Sequence, residues 1–414
     1  MSLDLDQKKA IDKLSQLKAG ALFMKMGTGK TKVACDLIRL KIKLIDVVIW
    51  IAPASLLNSE NYIEEIKKRS RGFFKKINFF SIEGISRSDY KYFKMRSLAE
   101  QNKNFCIVDE SITIKNMCAL RTQRLLSDYS LFDFRIILNG TPITKSLVDL
   151  YSQMMFLSPK ILKMSEREFA DKFLVYFFDG RDPFPWRRWS KPANVAALIE
   201  IIRPYVFHTD LKSDSDVRIY NKEFSLSKQE RRKYSKFKDD FLDGKFYVSF
   251  FSVAQSFQKA YTTTCAEKFN ATLDIVKQII ARKGKVVIFV KYIEEAEKLA
   301  DALNALMYIG TRKDDLSLFE GEKNVLVCTY GVGSVGLNLQ CANNLIYYSQ
   351  KFDYKEKEQA KYRIYRTGQI RPVNIYNMWV DTMLEDIIRY NLSRKHDLLK
   401  TFEKIISVEK ARCL

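Results

Sequence analysis

The stretch ALFMKMGTGKTKVACDLI, residues 21–38, places a glycine-rich turn between an apolar run and a segment with helical periodicity. Backbone N–H groups at a helix N-terminus attract phosphate, while a lysine reaches the β- and γ-phosphates and a hydroxyl binds Mg²⁺. The usual pattern begins with glycine where this sequence has Met24, so the motif alone does not decide whether nucleotide binds. The candidate residues of the phosphate-binding loop are Gly27, Thr28, Gly29, Lys30 and Thr31.

An acidic pair, Asp109 and Glu110, ends a later apolar run in FCIVDES. A P-loop nucleotide hydrolase needs an acid at the end of a strand to hold its metal. Asp109 would order the Mg²⁺ shell, and Glu110 would polarise the attacking water. Two solvated acids at a strand end are the alternative, but the glycine loop upstream in the same α/β region favours the metal site.

Three further stretches carry less specific signals. Gly140-Thr141-Pro142 ends another apolar run, and a glycine-rich loop follows Thr329. Taken alone, both are typical of plain turns. Arg363 and Arg366 are three residues apart, which predicts a shared helix face. An arginine against a γ-phosphate stabilises transition-state charge, although a basic helix face with another role is the alternative.

The composition predicts a globular chain with a polyanionic partner. A length of 414 residues favours two domains over one. The 70 Lys and Arg residues outnumber the 49 Asp and Glu residues, which gives a net charge of +21. Such an excess suits nucleic acid, and a solvated lysine-rich surface is the alternative.

The cysteine and hydropathy patterns favour a cytoplasmic protein. The seven cysteines form no Cys-x-x-Cys pair and the chain has two histidines, so we expect reduced thiols rather than a structural zinc site. No run of about 18 apolar residues is present, and the N-terminal residues do not resemble a secretory signal. We therefore expect no membrane partner.

Strand and helix signals alternate in both halves of the chain, which predicts parallel sheets with crossover helices. Between them, residues 145–265 show mainly helical periodicity. We expect an N-terminal domain over residues 1–205 with a helical insertion from about residue 145. A helical protrusion or linker would span residues 206–267, and a C-terminal domain with terminal helices would span residues 268–414.

The order and spacing of these stretches resemble the motifs of superfamily-two helicases, and within them the Swi/Snf-type DNA-dependent ATPases. The resemblance extends from about residue 5 to about residue 377. The stretches that carry it are MGTGKT, APASLL, VDESITIKN, LNGTPI, GVGSVGLNLQCANNLI and QAKYRIYRTGQ. The last is the most specific, because it combines Gln-Ala, two arginines and Gly-Gln.

This resemblance implies an α/β fold of two RecA-like domains, with parallel sheets flanked by helices and helical insertions between them. It implies ATP and Mg²⁺ as ligands and a monomeric enzyme that hydrolyses ATP. Gln7 lies where the family's adenine-reading glutamine is expected, and the resemblance places Gln359 near the nucleotide. Arg363 and Arg366 would act as arginine fingers.

The resemblance also implies a double-stranded or branched DNA partner, whereas no protein partner can be assigned. By motif position, the DNA contacts would come from Ser55, Lys115, Asn116, Thr329 and Gly333. The implied function is an ATP-dependent duplex-DNA translocase in remodelling, branch migration, repair or replication-fork processing. A strand-separating DNA or RNA helicase and a non-hydrolysing nucleic-acid-binding scaffold are the alternatives.

Several residues depart from the common family pattern. The acidic motif reads Asp-Glu-Ser-Ile where many relatives have Asp-Glu-Ala-His, so its coupling to the following LNGTPI motif is expected to differ. Asn139 replaces a common threonine in that second motif. Such variants resemble compact bacteriophage and bacterial members. Lys25 stands where many relatives carry an acid, and either tightens nucleotide binding or faces solvent.

The stretch DGRDPFPWRRWSKP combines cations with aromatic rings, and Arg187 and Arg188 are its candidate DNA contacts. Packing of both tryptophans into the helical insertion is the alternative. If the arginines contact phosphates, Arg187→Ala with Arg188→Ala should reduce the slope of log affinity against log salt by about 1 to 2. Fluorescence titration of duplex DNA at several salt concentrations measures this slope. The pair Lys67→Ala with Lys68→Ala is the control, and an unchanged affinity in the arginine variant would remove the DNA role.

Overall fold

The computed structural model describes residues 5–393 except 26, 144–146, 178–186, 190–191, 210–215, 233–234, 237–254, 257, 262, 334–336, 338, 352–353, 367–368, 383, 387 and 391. These residues divide into two compact units. The first unit extends to residue 211, and the second begins at residue 212. Within the described part of the chain, no helix combines the length and hydropathy that a bilayer crossing requires.

The first unit is built on a six-stranded sheet whose order is β3-β2-β4-β5-β1-β8. All five pairings in this sheet are parallel. Its strands are β1 (Ala19–Met24), β2 (Val47–Ala52), β3 (Ile77–Ser81), β4 (Asn104–Asp109), β5 (Phe134–Asn139) and β8 (Val206–Thr209).

Helices cover both faces of this sheet, as a parallel sheet requires. Along β2, Ile49 and Ile51 point into one core. Val48 and Trp50 point into the core on the other face. The helices are α1 (Leu5–Leu14), α2 (Lys30–Lys41), α3 (Ala54–Leu57), α4 (Glu60–Arg69), α5 (Ile82–Arg87), α6 (Asp89–Gln101), α7 (Leu120–Ser127), α8 (Val148–Leu157), α9 (Pro159–Leu162), α10 (Glu166–Phe173) and α11 (Pro192–Ile202).

Helices α8 to α11 lie between β5 and β8 along the chain. Their aromatic side chains extend one core, with Phe169 packed between Tyr151 and Phe173. Within the range of mainly helical periodicity, α10 ends at Phe173 and is followed by strand β6 (Val175–Phe177). β6 pairs in antiparallel fashion with β7 (Arg187–Trp189).

The second unit has a second six-stranded parallel sheet, in the order β11-β12-β10-β13-β14-β9. Two parallel sheets flanked by helices confirm the predicted fold class of two RecA-like α/β domains. The strands are β9 (Val217–Phe224), β10 (Val286–Val290), β11 (Leu306–Tyr308), β12 (Val325–Thr329), β13 (Asn344–Tyr347) and β14 (Val373–Val380). The helices are α12 (Ala266–Ala281), α13 (Ile293–Leu303), α14 (Leu316–Glu320), α15 (Tyr330–Gly333) and α16 (Tyr354–Ile364).

Strands β8 and β9 occupy the start of the range predicted as a helical protrusion, residues 206–267. β8 pairs with β1 in the first sheet, and β9 forms an edge of the second sheet beside β14. β9 escapes sequence analysis because its side chains are mostly exposed and polar residues interrupt its apolar ones, which removes the continuous apolar signal of a buried strand. The domain boundaries themselves stay predictions.

Two isoleucines of the second sheet should respond differently to truncation. Ile288 of β10 is fully buried, whereas Ile219 of β9 is 61% exposed. Ile288→Ala should lower the free energy of unfolding by about 2–5 kcal/mol, because it leaves a cavity in a packed core. Ile219→Ala, the matched control, should change it by less than about 0.5 kcal/mol. Urea unfolding measures both, and equal losses would contradict the assigned burial.

Candidate nucleotide and nucleic-acid site

The loop between β1 and α2 has the backbone of a phosphate cradle. Gly27 and Gly29 adopt φ angles of 81° and 86°, a left-handed conformation that disfavours residues with a Cβ. A Cβ on Gly29 would also lie 2.5 Å from Nε2 of Gln7. Helix α2 begins directly afterwards at Lys30, so its N-terminal N–H groups point toward the loop.

Side-chain hydrogen bonds hold this loop in shape. Gln7 on α1 donates from Nε2 to the carbonyl of Thr28 at 3.0 Å, and the Thr28 hydroxyl donates to the carbonyl of Lys25 at 2.7 Å. The Lys30 ammonium donates to the carbonyl of Met24 at 2.9 Å. Thr31 follows on the first turn of α2 and is half-buried. The structure therefore brings all the predicted loop residues and Gln7 together.

Lys25 does not face solvent, because only 6% of its surface is exposed. Its backbone N–H donates to the carbonyl of Thr209 at the end of β8, at 3.2 Å. The solvent-facing alternative for Lys25 is therefore wrong. The sequence pattern does not indicate this burial, because β8 lies in the range expected to form a helical protrusion or linker.

The register of the first sheet places the acidic pair on the same edge as the loop. β5 lies between β1 and β4. Phe23 of β1 is level with Asn139 of β5, and Leu138 of β5 is level with Asp109 of β4. Because all three strands are parallel, their carboxyl ends meet at one edge, and the glycine loop and Asp109 emerge there.

Asp109 is buried, with 6% of its surface exposed. It accepts hydrogen bonds from the Tyr62 hydroxyl and from the backbone N–H of Glu110, the latter at 2.8 Å. Burial, reinforced by the charge of Glu110, raises the pKa of Asp109 to about 6, although the Tyr62 bond and the Lys30 charge oppose the rise. A bound cation stabilises the charged form of such a buried carboxylate, so the environment of Asp109 fits the expected Mg²⁺.

Tyr62 is a site residue that sequence analysis missed. Its hydroxyl donates to Asp109 and accepts a hydrogen bond from Nε1 of Trp50 at 3.0 Å. Burial and the neighbouring Asp109 raise the pKa of Tyr62 well above its usual value, so it remains a donor. No signal in the sequence pairs residue 62 with residue 109, because the contact forms only when α4 packs over the strand ends.

Glu110 has a left-handed backbone with φ 53° and ψ 51°, which is uncommon for a residue with a side chain. A 3₁₀ turn, Ser111–Ile114, follows it. The N–H and the hydroxyl of Thr113 each donate to the Glu110 carbonyl at 2.9 Å. A strained backbone persists where surrounding contacts hold it and is frequent at functional sites, which supports Glu110 as a candidate catalytic residue.

Gln359, Arg363 and Arg366 belong to the second unit. The expectation that the two arginines share a helix face is wrong, since α16 ends at Ile364 and Arg366 lies beyond it. Arg363 is buried and accepts a hydrogen bond at its carbonyl from the N–H of Leu339 at 3.1 Å. Arg366 is half-buried, and its carbonyl accepts from the N–H of Gln369. Their catalytic roles stay predictions.

Three of the predicted DNA contacts follow neighbouring strands of the first sheet. Ser55 is exposed on α3 after β2, and Asn116 is exposed after β4. Lys115 is half-buried, with Nζ 3.9 Å from a carboxylate oxygen of Asp149.

The other predicted DNA contacts lie elsewhere in the chain. In the second unit, Thr329 ends β12 and Gly333 ends α15. Arg187 and Arg188 lie on β7, while the neighbouring Trp186 is outside the described residues.

Two family models match the chain. Residues 63–285 match the SNF2-related domain, and residues 267–368 match the helicase conserved C-terminal domain. A solved structure, the Sulfolobus solfataricus SWI2/SNF2 ATPase core in complex with dsDNA, is 20% identical with a TM-score of 0.42, and the match covers 99% of this chain and 93% of that one.

Curated relatives have similar identities. An uncharacterized ATP-dependent helicase of Mycoplasma genitalium is 22% identical over 76% of this chain and 32% of the relative. The ISWI chromatin-remodeling complex ATPase ISW1 of Saccharomyces cerevisiae is 21% identical over 91% of this chain and 38% of the relative. The transcription regulatory protein SNF2 of the same yeast is 23% identical over 70% of this chain. The chain spans well under half the length of these relatives.

Two glycines with similar backbones test the cradle. Gly29→Ala should lower the free energy of unfolding by about 1–3 kcal/mol, because a left-handed alanine is strained and its Cβ meets Gln7. Gly72 has a φ of 90° with no atom within 4 Å of an added Cβ, so Gly72→Ala is the control for backbone strain alone. Urea unfolding should show the larger loss for Gly29→Ala, and the reverse order would contradict the close approach of Gln7.

Proposed function

The chain belongs to the SNF2-related family, and we propose that it is an ATP hydrolase that uses turnover to translocate along duplex DNA. The family model covers more than half of the residues, from 63 to 285. The observation that carries the proposal is the shared sheet edge, at which the left-handed glycines of the loop and the Asp109-Glu110 pair emerge.

In the proposed reaction, the loop N–H groups and Lys30 bind the phosphates of ATP, and Gln7 lies beside them to contact the base. Thr31 and Asp109 would hold Mg²⁺, which neutralises charge on the phosphates when it is bound. Glu110 orients the attacking water and accepts its proton. Arg363 and Arg366 would stabilise negative charge on the γ-phosphate in the transition state.

A polyanionic partner is supported by the excess of basic residues, which gives a net charge of +21. Ser55, Lys115 and Asn116 offer a hydroxyl, an ammonium and an amide near one edge of the first sheet, the groups that contact phosphates without reading sequence. Relatives named as ATP-dependent helicases and as a chromatin-remodeling ATPase support ATP-driven work on DNA. Remodelling, branch migration, repair and fork processing all fit this activity.

Two alternative functions differ from a duplex translocase in how nucleic acid affects ATP hydrolysis. A strand-separating helicase would be stimulated by single-stranded DNA or RNA and would release a displaced strand. A scaffold would bind nucleic acid without hydrolysis. The presence of Lys30, Thr31, Asp109 and Glu110 at one sheet edge argues against the scaffold, because a protein that only binds nucleic acid needs none of them.

ATP hydrolysis measured without nucleic acid and with duplex, branched or single-stranded DNA or RNA tests the proposal. We expect the strongest stimulation by duplex or branched DNA. Stimulation by RNA alone would reject the duplex translocase, and no hydrolysis with any nucleic acid would favour the scaffold.

Two substitutions test the assigned residues in the same assay. Lys30→Ala should abolish turnover, and Glu110→Gln should lower kcat by at least about 100-fold while ATP binding persists, because the base is lost but the cradle remains. Lys67→Ala and Glu64→Gln are matched controls, since these side chains form an exposed ion pair on α4. Normal turnover in Glu110→Gln would refute its role.

A further inference from the structure

Three fully buried polar side chains meet between the acidic motif and the LNGTPI motif. They are Ser111, which follows Glu110, Asn139 at the end of β5, and Gln153 on α8. Buried polar groups are costly unless they are hydrogen-bonded, so such a cluster needs a structural or functional reason.

Gln153 is the centre of this cluster. Its Oε1 accepts from the Ser111 hydroxyl at 2.7 Å and from Nδ2 of Asn139 at 3.5 Å. Its Nε2 donates to the Pro142 carbonyl at 3.0 Å. Asn139 in turn accepts at Oδ1 from the N–H of Thr141 at 3.0 Å. One amide therefore joins the residue after Glu110 to the backbone of the loop after β5.

This cluster accounts for two departures from the common family pattern. Many relatives have alanine where this chain has Ser111 and threonine where it has Asn139, and both departures meet at Gln153. Ile112, which stands in place of the common histidine, is itself buried. The polar connection between the two motifs passes through residue 111 instead.

Helix α8 contacts the other end of the same turn. The 3₁₀ turn Ser111–Ile114 lies between Glu110 and Lys115. Asp149 lies 3.9 Å from the Lys115 ammonium, and its carbonyl accepts a hydrogen bond from Gln153. Residues 149 and 153 are four apart on α8 and share one face. This face of α8 therefore contacts the turn at two points. One is Ser111, which follows the candidate catalytic residue Glu110, and the other is Lys115, the candidate phosphate contact.

We propose that Gln153 is a positioning residue, which couples a DNA phosphate at Lys115 to the placement of Glu110. The inference rests on the proposed function. A phosphate competes with Asp149 for the Lys115 ammonium and shifts that end of the turn. Because Ser111 is fixed to Gln153, the short turn pivots about this bond and re-aims Glu110. Without the bond, the left-handed backbone of Glu110 loses one of its restraints and the shift is not transmitted.

Gln153→Met tests the coupling, because methionine has a similar length but makes no comparable hydrogen bonds. We expect the KM for ATP to change little and the stimulation of kcat by duplex DNA to fall roughly 2- to 30-fold. Ser152→Ala is the control, since Ser152 is equally buried and, among the described residues, its hydroxyl has no hydrogen-bond partner. Full stimulation in Gln153→Met would overturn the proposal.

A double-mutant cycle with Lys115→Ala separates transmission from general damage. If Gln153 transmits the signal from Lys115, the stimulation of kcat by duplex DNA in the double variant should be no lower than in the less stimulated single variant. Independent losses would instead multiply, and that result would overturn the coupling. Ser111→Ala combined with Gln153→Met also removes the Ser111 hydroxyl, which has lost its acceptor in the single variant. It should recover thermal stability without recovering stimulation, and recovered stimulation would assign the effect to stability alone.

Amide hydrogen exchange distinguishes failure of this inference from failure of the proposed function. Exchange over residues 110–115 should be faster in Gln153→Met than in Ser152→Ala, since the anchor of the turn is lost. Unchanged exchange overturns the positioning role whatever the ATPase activity is. A wild-type protein that duplex DNA does not stimulate overturns the proposed function and the coupling, while the exchange result still decides whether Gln153 holds the turn.

Discussion

The parallel pairing of β1, β5 and β4 is the constraint on which the rest of the site depends. Parallel strands place their carboxyl ends at one edge, and β5 sets the spacing between the other two. The glycine loop leaves β1 there, and Asp109 and Glu110 leave β4 there. The glycine loop and the acidic pair each need a backbone conformation or a degree of burial that a free peptide would avoid. The packing of the sheet beneath them stabilises both.

The polar groups at this edge are buried or half-buried, and the helices packed over it provide partners for several of them. Gln7 on α1 bonds the carbonyl of Thr28, and Tyr62 on α4 bonds Asp109. Gln153 on α8 bonds Ser111. Three helices distant in sequence therefore each contribute one side chain, and each side chain fixes a different part of the candidate site. The low dielectric of this environment strengthens these bonds and raises the cost of losing one partner.

Much of the architecture was predictable because buried parallel strands have a strong local signal. The apolar runs before Lys25, before Glu110 and before Gly140 all form the expected strands. Strands with exposed side chains gave no such signal, so β9 was missed. The predicted helix face shared by Arg363 and Arg366 was wrong because the helix ends at Ile364, a boundary that residue spacing does not reveal.

The amino-acid sequence alone established the chemistry of the candidate site, because residue type and order along the chain define a phosphate loop, an acidic pair and a basic surplus. It also determined the alternation of strands and helices, because burial on both faces of a sheet leaves a continuous apolar run. The distant side chains that complete the site, including Tyr62 and Gln153, are identified by the folded structure and not by the sequence. Their contacts join residues 47 and 42 positions apart in the chain, and such contacts depend on how helices pack over the sheet edge rather than on any local pattern.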